Sequence, residues 1–113
     1  MEKERVIFRR EYDPYMKEWG YMAVFPDDEA NLGCVNILSF KETDTGFIYE
    51  PYCEASIDYV LSKKIIHKGT AEADKCLEAV MLKYGMEFEV CEKMTRRRAN
   101  EKVFSERYVC STL

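Results

Sequence analysis

Histidine, proline and glycine are scarce in this chain, and close cysteine pairs are missing altogether. The one histidine, His67, is the only imidazole that a catalytic dyad or triad could use. It stands in Lys63-Lys64-Ile65-Ile66-His67-Lys68-Gly69, where neighbouring lysines disfavour the imidazolium that a general base must become. A nucleophile pair of His67 with Cys53 or Cys76 is disfavoured on the same ground, and His67 reads as a surface residue. The five glycines (Gly20, Gly33, Gly46, Gly69, Gly85) occur singly where turns or caps need them, so no phosphate-cradling loop is present. The five cysteines (Cys34, Cys53, Cys76, Cys91, Cys110) are odd in number and lie 15 to 23 residues apart. That spacing argues against a zinc site and against a disulfide scaffold; they read as reduced thiols acting as small apolar residues. No apolar run approaches the roughly 20 residues that span a bilayer. Met-Glu-Lys-Glu-Arg leads straight into Val6-Ile7-Phe8 without a signal-peptide hydrophobic region, so the expected location is the cytoplasm.

What the chain does have is a strongly uneven charge distribution. Residues 11–60 hold eleven acids (Glu11, Asp13, Glu18, Asp27, Asp28, Glu29, Glu42, Asp44, Glu50, Glu54, Asp58) against Lys17 and Lys41, a balance of −9. The first ten residues carry +2 and residues 61–113 carry +3, which gives the whole-chain value of −4. A domain with one acidic block and one mildly basic block presents a single sign to a partner. With 113 residues, 47% of them hydrophobic, the chain reads as a single domain, 1–113, with enough apolar surface for a core. It contains no repeat, linker or low-complexity segment.

Local patterns predict the elements. Arg5 to Arg9 and Tyr21 to Phe25 read as strands, with Glu11 to Gly20 as a turn or wide connection. Asp27 to Asn31 reads as one helical turn capped by Asp27. Cys34 to Phe40 and Phe47 to Tyr52 form a hairpin about Thr43-Asp44-Thr45-Gly46. A helix is expected from Glu54 to Lys63. A second, capped by Thr70 and ended by Gly85, carries the stripe Ala73, Cys76, Leu77, Val80, Met81 and Tyr84. Met86 to Cys91 alternates as a half-buried strand. Thr95 to Val109 fits a helix through Ala99, Val103, Phe104 and Tyr108, although Lys102 to Cys110 also fits a strand; the helix is preferred. Strands followed by helices and a further strand indicate an α+β fold, an antiparallel sheet of four or five strands with two or three helices packed on one face.

Two constellations bear on function. Tyrosine and tryptophan interleave with acids at Glu11, Tyr12, Asp13, Tyr15, Glu18 and Trp19, and again where Tyr49, Tyr52 and Tyr59 meet Glu50, Glu54 and Asp58. Rigid aromatic area beside carboxylates suits binding to a basic protein surface. The expected partner-binding residues are Glu11, Asp13, Tyr15, Glu18, Trp19, Asp27, Asp28 and Glu29. Asp27-Asp28-Glu29 lacks the spacing of an oxygen-ligand loop, so neither a metal nor another cofactor is expected. The counter-feature is Lys93, Arg96, Arg97, Arg98 and Lys102, which under an alternative reading contact phosphates as a nucleic-acid-binding module. The acidic whole, with a pI near 5.1, argues against that alternative.

The stretch Gly20-Tyr21-Met22-Ala23-Val24-Phe25-Pro26-Asp27-Asp28-Glu29-Ala30-Asn31 resembles a segment of small proteins of phages and conjugative elements. In size, acidity and lack of catalytic motifs the chain also resembles the anti-CRISPR and anti-restriction inhibitors of such mobile elements. That resemblance implies a non-enzymatic inhibitor or adaptor whose acidic surface occludes a basic nucleic-acid-handling protein, such as an RNA-guided nuclease. It carries over no functional residue, because those inhibitors share no signature, and the basic last third departs from the pattern of pure nucleic-acid mimics. Direct nucleic-acid binding is the less favoured reading, no membrane is expected as a partner, and pairing of two copies through a strand edge is left open.

Overall fold

Val6, Ile7 and Phe8 are wholly buried, so the strand that carries them needs cover on both faces. The computed structural model describes residues 3–94. Its elements are β1 (Glu4–Asp13), β2 (Glu18–Phe25), β3 (Cys34–Thr43), β4 (Gly46–Tyr49), β5 (Cys53–Ser56), α1 (Ile57–Leu61), β6 (Lys64–Ile65), α2 (Ala71–Tyr84) and β7 (Phe88–Val90). The seven strands form one sheet ordered β4-β3-β2-β1-β6, with β5 also on β3 and β7 also on β1. Fold and expectation agree on a sheet-dominated mixture of strands and helices. They differ on direction, because β7 runs parallel to β1 (Glu4 opposite Phe88, Val6 opposite Val90) while the other pairs are antiparallel. The sheet is therefore mixed, and it has more strands than expected.

The helices also fail to share a face. Register aligns Phe8, Ala23 and Leu38 across β1–β3, and Ile7, Val24 and Ile37 on the opposite side. The first set packs with Ala73, Cys76, Ala79 and Val80 of α2, and the second with Ile57 and Val60 of α1. Two separate apolar layers thus sandwich the sheet, and β1 contributes to both.

Helix α2 forms where its sequence signals place it. Thr70 Oγ1 accepts from the Ala73 amide at 3.1 Å, and Gly85 closes the helix in the left-handed region at φ 66°. The expected longer first helix is cut to Ile57–Leu61, because Cys53–Ser56 pair with β3 and Ser56 caps at its side-chain oxygen. Pro51 lies between β4 and β5 and ends the single strand expected from Phe47 to Tyr52. Met86, expected to face inward, is exposed, and the strand begins only at Phe88.

Glu11 to Gly20, expected as a connection, is mostly strand. β1 continues to Asp13 and β2 starts at Glu18, with Tyr12 opposite Trp19. Only Pro14–Lys17 turn, with Lys17 at φ 54° and Asp13 Oδ1 accepting from the Tyr15 and Met16 amides at 2.9 and 3.2 Å. Asp27–Asn31 forms no helix. The Asp27 carboxylate does not cap; it meets the Arg5 guanidinium in two bonds, of 3.1 and 2.7 Å, with both side chains buried. The expectation for Thr95 to Val109 lies outside the described residues.

Removing one partner of a buried, two-point ion pair leaves the other charge stranded, at a cost of about 3–5 kcal/mol. Asp27→Asn is expected to lower the stability measured by chemical denaturation by an amount of that order. The double change Arg5→Met with Asp27→Leu is expected to recover most of the loss.

Candidate functional site

The far end of the β1–β2 hairpin carries Glu11, Asp13 and Glu18, none of them buried. Along β1 and β2 the side chains alternate, so Glu11, Asp13 and Glu18 fall on the α1 side of the sheet. There they border a depression of about 310 Å³ whose further wall includes Ile48 and Glu50. Gly20 and Ser39 supply little bulk at its floor. A Cβ at Gly20 would stand 3.3 Å from the Phe40 carbonyl oxygen, so glycine keeps the floor both low and close to the neighbouring strand. Four carboxylates thus meet one ammonium, that of Lys41, which is paired with Glu18 and held above the usual lysine range by that bond.

From the helix side, Tyr59 of α1 meets Glu11. Its hydroxyl donates to Glu11 Oε2 at 2.6 Å, and the Lys63 ammonium lies 4.3 Å from its ring centre. The hydrogen bond to Glu11, reinforced by desolvation, pushes the phenol up to about 12.

On the opposite face of the same hairpin end, Trp19 packs edge-on against Tyr12 at 5.1 Å, with the Arg10 guanidinium 6.0 Å from the Trp19 ring. Arg10 is itself held by a two-point pair with Glu72 of α2. Tyr15, at the turn, is 94% exposed, and Trp19 is 54% exposed. The hairpin end therefore joins acids on one face to open aromatic rings on the other.

The eight sequence-predicted partner residues do not form one patch. Glu11, Asp13, Tyr15, Glu18 and Trp19 gather at the hairpin end. Asp27, Asp28 and Glu29 lie beyond the other end of β2, whose eight residues span on the order of 25 Å. Asp27 is consumed by Arg5, Asp28 accepts from the Tyr52 hydroxyl, and the Glu29 carbonyl accepts from Asn36 Nδ2 at 2.8 Å. Of the alternative basic set, Lys93 is exposed, and Arg96, Arg97, Arg98 and Lys102 lie outside the described residues. Sequence reasoning did not place Glu50, Lys41, Ser39 and Tyr59 beside Glu11 and Glu18: register across β2–β3 brings Ser39 and Lys41 there, the segment after β4 brings Glu50, and α1 brings Tyr59. The isolated Gly20 inside a strand was the available signal of a close approach.

His67 is exposed and its Nδ1 lies 3.2 Å from Glu92 Oε1. The Lys68 amide and His67 together hold the Glu92 carboxyl below the usual range. Burial pushes the Cys76 thiol up to about 12, so it stays protonated at neutral pH. Among the described residues no group of three His, Cys, Asp or Glu side chains is placed to hold a metal ion. Nor, among them, is any helix long and apolar enough to cross a membrane. No protein-family model, curated protein or solved structure matches the chain.

A phenol whose folded pKa is raised stabilises the fold only while protonated. For Tyr59 that contribution is complete below pH 10 and is lost as the pH climbs through about 12. The stability difference between the unaltered chain and Tyr59→Phe, followed by denaturation at stepped alkaline pH, is expected to shrink across that window. Thiol titration of the folded protein at pH 8 is expected to label exposed Cys53 and to spare Cys76 until the chain unfolds.

Proposed function

We propose that the chain is a non-enzymatic inhibitor or adaptor that binds a basic protein surface through the far end of the β1–β2 hairpin. The observation that carries this reading is the convergence of Glu11, Asp13, Glu18 and Glu50 about one open depression against a single lysine. Carboxylates so placed pair with lysines and arginines that otherwise hold phosphates, and so occlude a nucleic-acid-handling protein of the RNA-guided nuclease kind. Tyr15 and Trp19 add exposed aromatic area at the same end, suited to anchoring the contact. Relative to the sequence expectation, the binding set loses Asp27, Asp28 and Glu29, which lie beyond the other end of β2, and gains Glu50.

Each exposed ion pair contributes about 0.2–1 kcal/mol, so three lost together weaken binding by roughly three- to a hundredfold. Capture from host-cell lysate, run with and without nuclease and using the unaltered chain beside Glu11→Gln/Glu18→Gln/Glu50→Gln, is expected to recover a stoichiometric protein partner that survives nuclease, and less of it with the variant. The thermal midpoint of the variant should fall only slightly, since none of the three is buried and a glutamine at 11 can still accept from the Tyr59 hydroxyl. Equal recovery by both would overturn the assignment. Recovery by the unaltered chain that collapses under nuclease would instead favour phosphate contact by the basic last third.

A further inference from the structure

A second cavity, of about 560 Å³, lies on the α2 face of the sheet between the end of α2 and the segment that follows β4. Four aromatic rings meet there. Phe25 is central, with its ring centre 5.7 Å from Tyr52, 5.8 Å from Tyr84 and 5.9 Å from Phe88, and Tyr84 and Phe88 are 6.0 Å apart. Their planes are turned by 41°, 90°, 55° and 59° in these pairs, so the rings meet tilted or edge-on and do not stack. Phe25 and Phe88 are buried behind them, while Tyr52 and Tyr84 remain 45% and 37% exposed. A cluster serving the core alone would close over these two rings. Here they stay open beside Met86, another exposed apolar side chain.

Among the described residues that line this cavity, carboxylates outnumber cations. Glu4, Asp28 and Glu50 border it against Lys83, whose ammonium sits 5.2 Å from the ring of Tyr49, outside the group of four. Burial, then the hydrogen bond to Asp28 and the negative fields of Asp28 and Glu4, raise the Tyr52 hydroxyl above its usual range, and burial and Asp28 raise Tyr84.

We propose that this cavity binds a cationic head carried on an apolar stem, of the arginine or alkylammonium type. Ring faces attract such a cation through their quadrupoles, the bordering carboxylates add charge, and Leu38 and Met86 offer contact to the stem. An anion is repelled by the same border, and an uncharged apolar ligand gains only contact area. The site is distinct from the hairpin depression, although Glu50 at the sheet margin borders both, and it does not depend on the function proposed for the hairpin end.

The test is a titration of the full chain followed by carbon-13 NMR of its aromatic and methionine side chains. Three probes are compared: choline, N-acetylarginine amide, and dimethylbutanol, the uncharged carbon isostere of choline. Shifts are expected at Tyr52, Tyr84, Phe88 and Met86 with at least one cation, and binding of the alcohol is expected to be roughly five- to thirtyfold weaker. Tighter binding of choline points to a small quaternary amine as the natural occupant, and tighter binding of the arginine derivative to a protein side chain. Tyr84→Leu, which keeps apolar bulk and removes the ring face, is expected to weaken the cation by about fivefold or more. Equal affinity for choline and the alcohol, no shift at these four residues, or a cation affinity unchanged in Tyr84→Leu would each overturn the proposal. Should Tyr84→Leu lose its folded spectrum, the isostere comparison on the unaltered chain decides alone.

Discussion

Burial of β1 on both faces is the constraint from which the rest of the architecture follows. A strand carrying Val6, Ile7 and Phe8 in succession cannot leave one side to water without exposing at least one large apolar residue. Covering each such side chain contributes about 1.5–3 kcal/mol, enough to draw α2 to one side and α1 to the other. β1 also needs hydrogen-bond partners along both edges, which β2 supplies on one side and the short β6 and β7 supply on the other. The parallel direction of β7 follows from α2, which carries the chain back along the sheet before it rejoins β1.

Acidic residues serve opposite purposes at the two ends of β2. Beside its C-terminal end, Asp27 is almost wholly enclosed and holds Arg5 in place. At its N-terminal end, Glu18 stays accessible near the turn of the hairpin. The energies separate the two cases: loss of one partner of an enclosed pair costs about 3–5 kcal/mol, whereas an accessible pair contributes about 0–1 kcal/mol to folding. Evolution can vary the accessible acids with little effect on the fold, and those are the ones free to answer to a partner.

How much of this was legible in the sequence depended on whether the signal was local. α2 was fully legible, because Thr70, the apolar stripe and Gly85 all act within a few residues of one another. Strand character at Tyr21–Phe25 and Cys34–Phe40 was equally plain, although β2 begins earlier and β3 ends later than expected. What depended on distant partners was not legible. Asp27 looks like a capping residue until Arg5, 22 positions earlier, is known to lie beneath it. The interleaved aromatics and acids of residues 11–20 looked like a connection, yet their alternation is that of a hairpin with different chemistry on its two sides. The split of the helices between two faces hinged on the parity of β1, where consecutive apolar residues mask the usual period of two. Glu11, Asp13 and Glu18 were grouped by their nearness in sequence, but Glu50, which arrives from beyond β4, was not.

The margins of the sheet have a consequence of another kind. Among the described residues each margin is assembled from two brief strands laid end to end, β4 and β5 along β3 and β6 and β7 along β1, with two to four residues in each. Neither margin offers an uninterrupted ladder of backbone groups. Growth of one molecule onto another by continuous strand addition, the first step toward fibrils, therefore meets a break after a few residues on either side. In a sheet with so much strand and so many aromatic rings, discontinuous borders of this kind are a structural obstacle to edge-to-edge association.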